Sequence, residues 1–290
     1  MKFEELLPRR ELLFGKLVLI YQMPKVGSQT IEATLRQCSV PDQILRFHYL
    51  SNAMASNAKG GLDSDVPDKA WKQKARPQLE LSEKIARAIR LRKILTRCGF
   101  NIPKLQVITG VRELIGLVLA SIFENYLYFA PDLESMTVET CRDVLLRPRM
   151  FIALRDWFNL ELKSFIGIDV YQRAFPREKG FAIYENRFAR ALVYRFEALP
   201  NLPAMLLEFL NLQAPELSNR NVGASKQYGD RYRSVKEQLR LPRDFVTSLY
   251  DCQMMRHFYS IEEREHWRAK WSQPVGAPVQ TIHPEVIPQS

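Results

Sequence analysis

Apolar positions along the chain alternate between two periods. Leu17-Val18-Leu19-Ile20-Tyr21 is a continuous apolar run, short and rich in strand formers, and predicts a buried strand closed by Pro24. Ile31, Thr34 and Leu35 then recur at helical spacing, so a helix begins near Ser28 and runs to about Arg36. Gln43–Leu50 predicts a second strand and Leu105–Val111 a third, the latter followed by a helix through about Tyr126 with an apolar centre at Leu114–Ala120. Thr137–Ile166 reads as helical with an interruption at Pro148. Phe181–Tyr184 and Ala191–Phe196 predict strands; Leu202–Leu210, Asp244–Asp251 and Ile261–Trp271 predict helices. Residues 1–16 predict a short amphipathic lead-in helix. Strands alternating with helices imply an α/β fold, a parallel sheet flanked by helices, with ligands at the carboxyl ends of the strands.

Between these segments the pattern lapses. Residues 51–77 are small and polar, with Gly60, Gly61, Asp63, Asp65 and Pro67, and read as a loop or flap. Residues 79–97 predict a basic helix whose Lys84, Arg87, Arg90, Arg92, Lys93 and Arg97 form a solvated face or, alternatively, contact an acidic glycan. From residue 272 onward Pro274, Pro278, Pro284 and Pro288 mark a tail that does not pack on its own. The chain is therefore one domain over residues 1–271, with a variable helical insertion at about 51–100 and a tail over 272–290.

Charge narrows the class of partner. The 290 residues carry a formal net charge of +10, which suits a polyanion: a nucleotide, an anionic glycan, a nucleic acid or a membrane surface. No zinc finger, basic zipper or RNA-recognition signature favours nucleic acid. Cys38, Cys98, Cys141 and Cys252 are widely spaced, without a C-x-x-C pair, and read as buried free thiols in a reducing compartment. The charged start, with Glu4, Glu5, Arg9, Arg10 and Glu11, is unlike a signal peptide, and no apolar run reaches the length of a membrane span. A cytoplasmic protein is the expectation.

The stretch that gives this charge a target is Pro24-Lys25-Val26-Gly27-Ser28-Gln29-Thr30. A strand, a tight loop and a helix N-terminus bring free backbone N–H groups and the positive end of a helix dipole to one spot. Gly27 allows the turn, Ser28 and Thr30 can cap or line the first helical turn, and Lys25 adds a full charge. The expected ligand is a phosphate. The lysine precedes the only glycine, so the ATP- and GTP-binding pattern G-x-x-x-x-G-K-[ST] does not fit. A second strand end, Val107-Ile108-Thr109-Gly110-Val111, places Arg112 where the next helix begins, and arginine can fork onto a phosphate. His48 follows a short strand, and a neutral imidazole there could take a proton from a hydroxyl.

The loop resembles the 5′-phosphosulfate loop of sulfotransferases that use 3′-phosphoadenosine 5′-phosphosulfate (PAPS). It is most similar to carbohydrate sulfotransferases and to bacterial enzymes labelled capsular polysaccharide synthesis proteins. Val111-Arg112-Glu113-Leu114-Ile115-Gly116 with Ser121-Ile122-Phe123-Glu124-Asn125 is similar to the family's 3′-phosphate segment, V-R-E-P-I-x-R-x-x-S-x-F-x-x-N. Leu114, Leu117 and Ala120 stand where that segment has proline, a second arginine and serine, and Ser121 comes one residue late. His48 matches the second histidine of the family's H-x-H-x-x-L, with Arg46 in place of the first. Segments around Phe165–Tyr171, Phe175, Lys179–Phe181, Tyr194–Leu199, Asn221–Tyr228 and Arg256–Ser260 continue the resemblance in order.

The resemblance implies a P-loop-like, nucleotide-kinase-like sulfotransferase fold. It implies an enzyme that moves a sulfuryl group from PAPS to a hydroxyl, with a carbohydrate as the expected acceptor, releasing adenosine 3′,5′-bisphosphate. Lys25, Val26, Gly27, Ser28, Gln29 and Thr30 would hold the 5′-phosphosulfate, and Arg112 with Ser121 the 3′-phosphate. Lys226, in the Asn221–Lys226 loop, would close near a phosphate or lie in a solvated turn. Lys25 would stabilise the leaving phosphate and His48 would be the base. Glu32, one turn into the helix, is a second candidate base or a partner that orients Lys25. Glu197 is expected to organise the core, His257 to be structural, and His266 and His283 to lie at the surface or in the tail. No metal is implied. The alternative is a non-catalytic relative that binds a nucleotide or an anionic glycan in polysaccharide assembly, and a nucleotide-dependent kinase is a more distant third.

Overall fold

The computed structural model describes residues 17–38, 43–51, 91, 105–147, 149–212 and 227–274. The lead-in at 1–16, the loop at 52–77, most of the basic helix at 79–97, Cys98, the Asn221–Lys226 loop and the tail from residue 275 lie outside the described residues. Within them the chain forms β1 (Leu17–Tyr21), α1 (Ser28–Gln37), β2 (Gln43–Phe47), β3 (Leu105–Val111) and α2 (Leu114–Glu124). There follow α3 (Val138–Leu145), α4 (Arg149–Arg155), a π-helical segment (Phe158–Ile166), β4 (Phe181–Glu185) and β5 (Ala189–Arg195). The last part is helical: α5 (Leu202–Leu210), α6 (Gly229–Gln238), α7 (Arg243–Tyr250), α8 (Gln253–Phe258) and α9 (Ile261–Trp271). The expected strands and most expected helices are present. The second strand stops at Phe47, and α6 and α8 had no apolar periodicity strong enough to announce them.

The strands make one sheet in the order β2-β1-β3-β5-β4. β2, β1, β3 and β5 are parallel neighbours, as α/β alternation requires. β4 departs from the expected parallel sheet: it pairs antiparallel with β5, Phe181 opposite Tyr194 and Glu185 opposite Arg190. Only residues 186–188 separate the two strands, whereas a parallel crossover needs about a dozen residues or more. Asn186 closes the turn, its Oδ1 accepting from the N–H groups of Phe188 and Ala189, both at 2.8 Å.

Both faces of the sheet are covered, which is why β1 is an unbroken apolar run and every one of its residues is buried. Leu17, Leu19 and Tyr21 face a large core shared with α2, α3, the π-helical segment and α7 to α9. Val18 and Ile20 face a smaller one, made with Ile31 and Leu35 of α1 and Leu202, Met205, Leu206 and Phe209 of α5. Leu114 to Leu119 are all buried, as the apolar centre of that helix predicted. Cys38, Cys141 and Cys252 are buried free thiols, and burial pushes Cys141 up to about 12.

Two contacts in this framework carry predictions. Gly110 of β3 lies beside Tyr194 of β5, and a Cβ on Gly110 would stand 2.5 Å from the tyrosine Cζ. Tyr194 is fully buried, so its ring cannot swing away without opening the core. Gly110→Ala is expected to cost about 1–3 kcal/mol by overpacking. Urea unfolding measures it, and an unchanged midpoint would contradict the contact.

His257 fills a structural place, its ring 4.7 Å from Phe258 and 5.0 Å from Tyr171. Burial first, then the Arg177 charge, holds its imidazole below the ordinary value of 6.5. The unfolded chain therefore takes up a proton there before the folded one does. The stability from this group is present above pH ~6.5 and is lost as pH falls through the lowered folded value. His257→Asn should flatten the decline of melting temperature between about pH 7 and pH 5. A decline as steep as that of the wild type would contradict the assignment.

Candidate anion-binding site

The sheet changes winding direction between β1 and β3. From β1 the chain crosses through α1 to β2 on one side, whereas β3 has β5 on its other side. At such a point the loops leaving the two carboxyl ends diverge and open a crevice. The loop at residues 24–30 leaves one wall of it and Arg112 the other.

The loop makes its turn with two left-handed residues, Lys25 at φ 64° and Gly27 at φ 92°. For lysine this conformation costs about 1–2 kcal/mol, so something must hold it. Two hydrogen bonds do. Arg112 Nη1 donates to the Lys25 carbonyl at 2.9 Å, and the Tyr194 hydroxyl donates to the Val26 carbonyl. Beneath them Gln22 is fully buried and its Oε1 lies 3.0 Å from the same hydroxyl. Leu199 packs over Gly27, where a Cβ would meet Leu199 Cδ2 at 2.7 Å.

The turn delivers α1 without a side-chain cap. Gly27 is the N-cap residue and makes no side-chain cap bond, so Ser28 does not cap the helix as the sequence allowed. The first intrahelical bond within reach is Ile31 N–H to the Gly27 carbonyl at 3.1 Å. The N–H groups of Ser28 and Gln29 have no acceptor among the described residues. An uncapped N-terminus with donors converging on one point binds anions.

Lys25 contributes a charge that is already engaged. Its ammonium pairs with Glu124 at the end of α2, not with Glu32. Glu32 instead bridges Arg36 at 2.8 Å and Arg46 at 3.3 Å, which removes it from the position expected for a base or a Lys25 partner. Arg46, at the place of the family's first histidine, is thereby accounted for.

Arg112 is braced over the Phe196 ring at 4.2 Å. The next residue fixes the start of α2: Glu113 folds its carboxylate onto the N–H groups of Ile115 at 2.8 Å and Gly116 at 2.7 Å. Gly116 leaves room for this, since a Cβ would stand 2.5 Å from Glu113 Oε2. Burial raises Glu113 above the ordinary carboxylate range, against the lowering effect of these bonds and of the Tyr250 hydroxyl. Ser121 is half-buried on α2, with its carbonyl bound by Asn125 Nδ2 at 2.9 Å. Leu117 is fully buried, so at that position the chain has a core residue instead of a phosphate ligand.

His48 stands one residue beyond the Tyr21–Phe47 pair, at the carboxyl end of β2. Its Nδ1 lies 2.8 Å from the Gln22 carbonyl. A carbonyl only accepts, so Nδ1 carries the hydrogen and Nε2 is the acceptor nitrogen of the neutral ring. The backbone is clamped from the far side, with Trp157 Nε1 donating to the His48 carbonyl at 3.0 Å. Glu161, fully buried on the π-helical segment, accepts from Leu50 N–H at 2.8 Å, Ser51 N–H at 2.9 Å and Ser51 Oγ at 2.6 Å, and from the Tyr21 hydroxyl. Burial and the Glu161 charge push Tyr49 up to about 12.

The loop, His48 and Arg112 thus meet at the ends of three adjacent strands. Lys226 falls outside the described residues. Glu197 is exposed, and it accepts from the hydroxyl of the buried Tyr259 at 3.0 Å, so it holds one core side chain from the surface instead of organising the core as expected. The sequence assigned no role to Gln22, Gly110, Glu113, Trp157, Glu161, Glu124 or Tyr194, although Glu113, Glu124 and Tyr194 fall within segments of the family resemblance. Of these only Gly110 carried a local signal, a glycine inside a strand marking a close approach. Among the described residues no group of three or more His, Cys, Asp or Glu could hold a metal ion, and no helix is long and apolar enough to cross a membrane. An open cavity of about 360 Å³, lined by residues 164–167 and 186–188, lies at the opposite end of β5 from Arg195.

Comparison with known proteins adds one finding. Residues 136–260 match the family model NKWYS, described as "Putative capsular polysaccharide synthesis protein". The matched stretch includes Trp157, Glu161, Tyr194 and α6, and excludes the loop at 24–30, His48 and Arg112. No curated protein and no solved structure matches the chain. Over less than half its length, the chain is similar to a family associated with capsular polysaccharide.

Proposed function

We propose that the chain is a PAPS-dependent sulfotransferase with a P-loop-like fold, acting on a hydroxyl of a polysaccharide or its precursor. The observation that carries this reading is the uncapped start of α1, with Ser28 and Gln29 N–H groups open beside Lys25, set at the switch point between His48 and Arg112. The likeness to a capsular polysaccharide family over residues 136–260 supports a polysaccharide acceptor. The order of the sequence motifs supports PAPS over ATP as donor.

The site residues suit that donor. The Ser28 and Gln29 N–H groups and the α1 dipole favour a dianionic group, and Lys25 adds charge. When bound, PAPS supplies a sulfuryl group whose sulfur–oxygen bond to the 5′-phosphate breaks as one to the acceptor oxygen forms. His48 Nε2 takes the acceptor's proton, and the Gln22 carbonyl holds the ring and steadies the imidazolium that results. Lys25 and the loop N–H groups offset the charge gathering on the departing phosphate oxygen. Lys25 must leave or share its pair with Glu124 to do so.

Transfer of labelled sulfate from PAPS to an acceptor polysaccharide tests this reading. Lys25→Ala should abolish transfer. His48→Ala should lower turnover about 10²–10⁴-fold, the range for a lost general base, with nucleotide affinity largely intact. Unchanged turnover in His48→Ala removes His48 as base. Nucleotide binding without transfer to any hydroxyl would favour the non-catalytic reading.

A further inference from the structure

We propose that Lys236 and Tyr232 of α6, together with Arg112, bind the second phosphate of the nucleotide, replacing the arginine and serine absent at Leu117 and Ala120. This rests on the donor assignment above and names the residues that would distinguish a bisphosphate from a monophosphate.

The argument starts from α6. Tyr232 and Lys236 are four residues apart and so share a face of the helix. The helix is seated by Val235, buried in the main core, and by ring contacts of Tyr232 and Tyr228 with Phe123 of α2 at 5.4 and 5.9 Å. That seating brings the face toward Arg112. The Arg112 guanidinium reaches in two directions, to the Lys25 carbonyl and to the Tyr232 hydroxyl. It therefore joins the loop at 24–30 directly to α6. The Lys236 ammonium lies 5.9 Å from the Tyr232 ring centre.

The charges in this corner do not balance. Lys270 and Arg112 both stand close enough to Lys236 for their charges to act on it, and none of the three has an ion pair among the described residues. The carboxylate facing them, Glu113, is already engaged by two backbone N–H groups and the Tyr250 hydroxyl. Burial, then the charges of Lys270 and Arg112, lowers the Lys236 pKa from its ordinary value. A half-buried lysine beside two other cations is costly to keep charged unless an anion is shared among them. A phosphate monoester, with close to two charges at neutral pH and three acceptor oxygens, is such an anion. Arg112 can offer its fork, Lys236 a point charge and Tyr232 a hydroxyl.

Calorimetric titration of adenosine 3′,5′-bisphosphate and of 5′-AMP into four proteins decides it. Wild type should prefer the bisphosphate by about tenfold or more, the equivalent of one charge-assisted hydrogen bond. Lys236→Ala should reduce that preference to about twofold or less while leaving 5′-AMP affinity unchanged, and Lys236→Arg should restore most of it. Lys25→Ala should weaken both ligands and keep their ratio. A Lys236→Ala protein that retains the full preference overturns the role of Lys236 and leaves the loop assignment standing. A wild type with no preference overturns the subsite. A wild type that binds neither nucleotide overturns the donor assignment as well.

Discussion

The left-handed turn at Lys25 to Gly27 is the constraint on which the site depends. A helix that began with an ordinary serine or aspartate cap would satisfy its own first N–H groups and have little left for a ligand. Here the cap position is a glycine with no side chain to offer, and the strain at Lys25 is carried by bonds from two different strands. Arg112 comes from the end of β3 and Tyr194 from β5, and both bind loop carbonyls. The loop is therefore built by the sheet and not by its own sequence. Gly110 belongs to the same construction, because only a residue without a Cβ lets the Tyr194 ring lie across β3.

A second construction holds the end of β2. Glu161 gathers four donors from Tyr21, Leu50 and Ser51, and Trp157 takes the His48 carbonyl. A buried carboxylate is expensive unless so supplied, and two of the four donors here are backbone N–H groups that follow His48. The π-helical segment that carries Glu161 is a rare form of helix that is frequent at functional sites. It ties His48 to a region that matches a family associated with capsular polysaccharide, although His48 itself lies outside the match.

Much of the fold was legible because burial on both faces leaves a plain apolar signature. β1, β3 and the centre of α2 have it, and their bounds were read closely. The direction of β4 was not legible from composition, but the three-residue separation from β5 contained it. α6 was missed because Val235 is its sole buried side-chain-bearing position and the rest of it is polar. In the site, Lys25, Gly27, His48 and Arg112 could be found because each stands at a strand end. Their partners could not. Glu124, Glu161 and Tyr194 lie about 100 to 170 residues from the groups they hold, and no local pattern records such a pairing. The expectation that Glu32 orients Lys25 failed for a local reason, since Arg36 one turn on and Arg46 on β2 compete for the same carboxylate.

The most direct test of the anion cradle is the response of backbone amide resonances to adenosine 3′,5′-bisphosphate. If the start of α1 binds the 5′-phosphate, the Gly27, Ser28 and Gln29 amides should show the largest downfield proton shifts, saturating together. Largest shifts at residues 164–167 and 186–188, or no shifts at residues 24–30, would contradict the account.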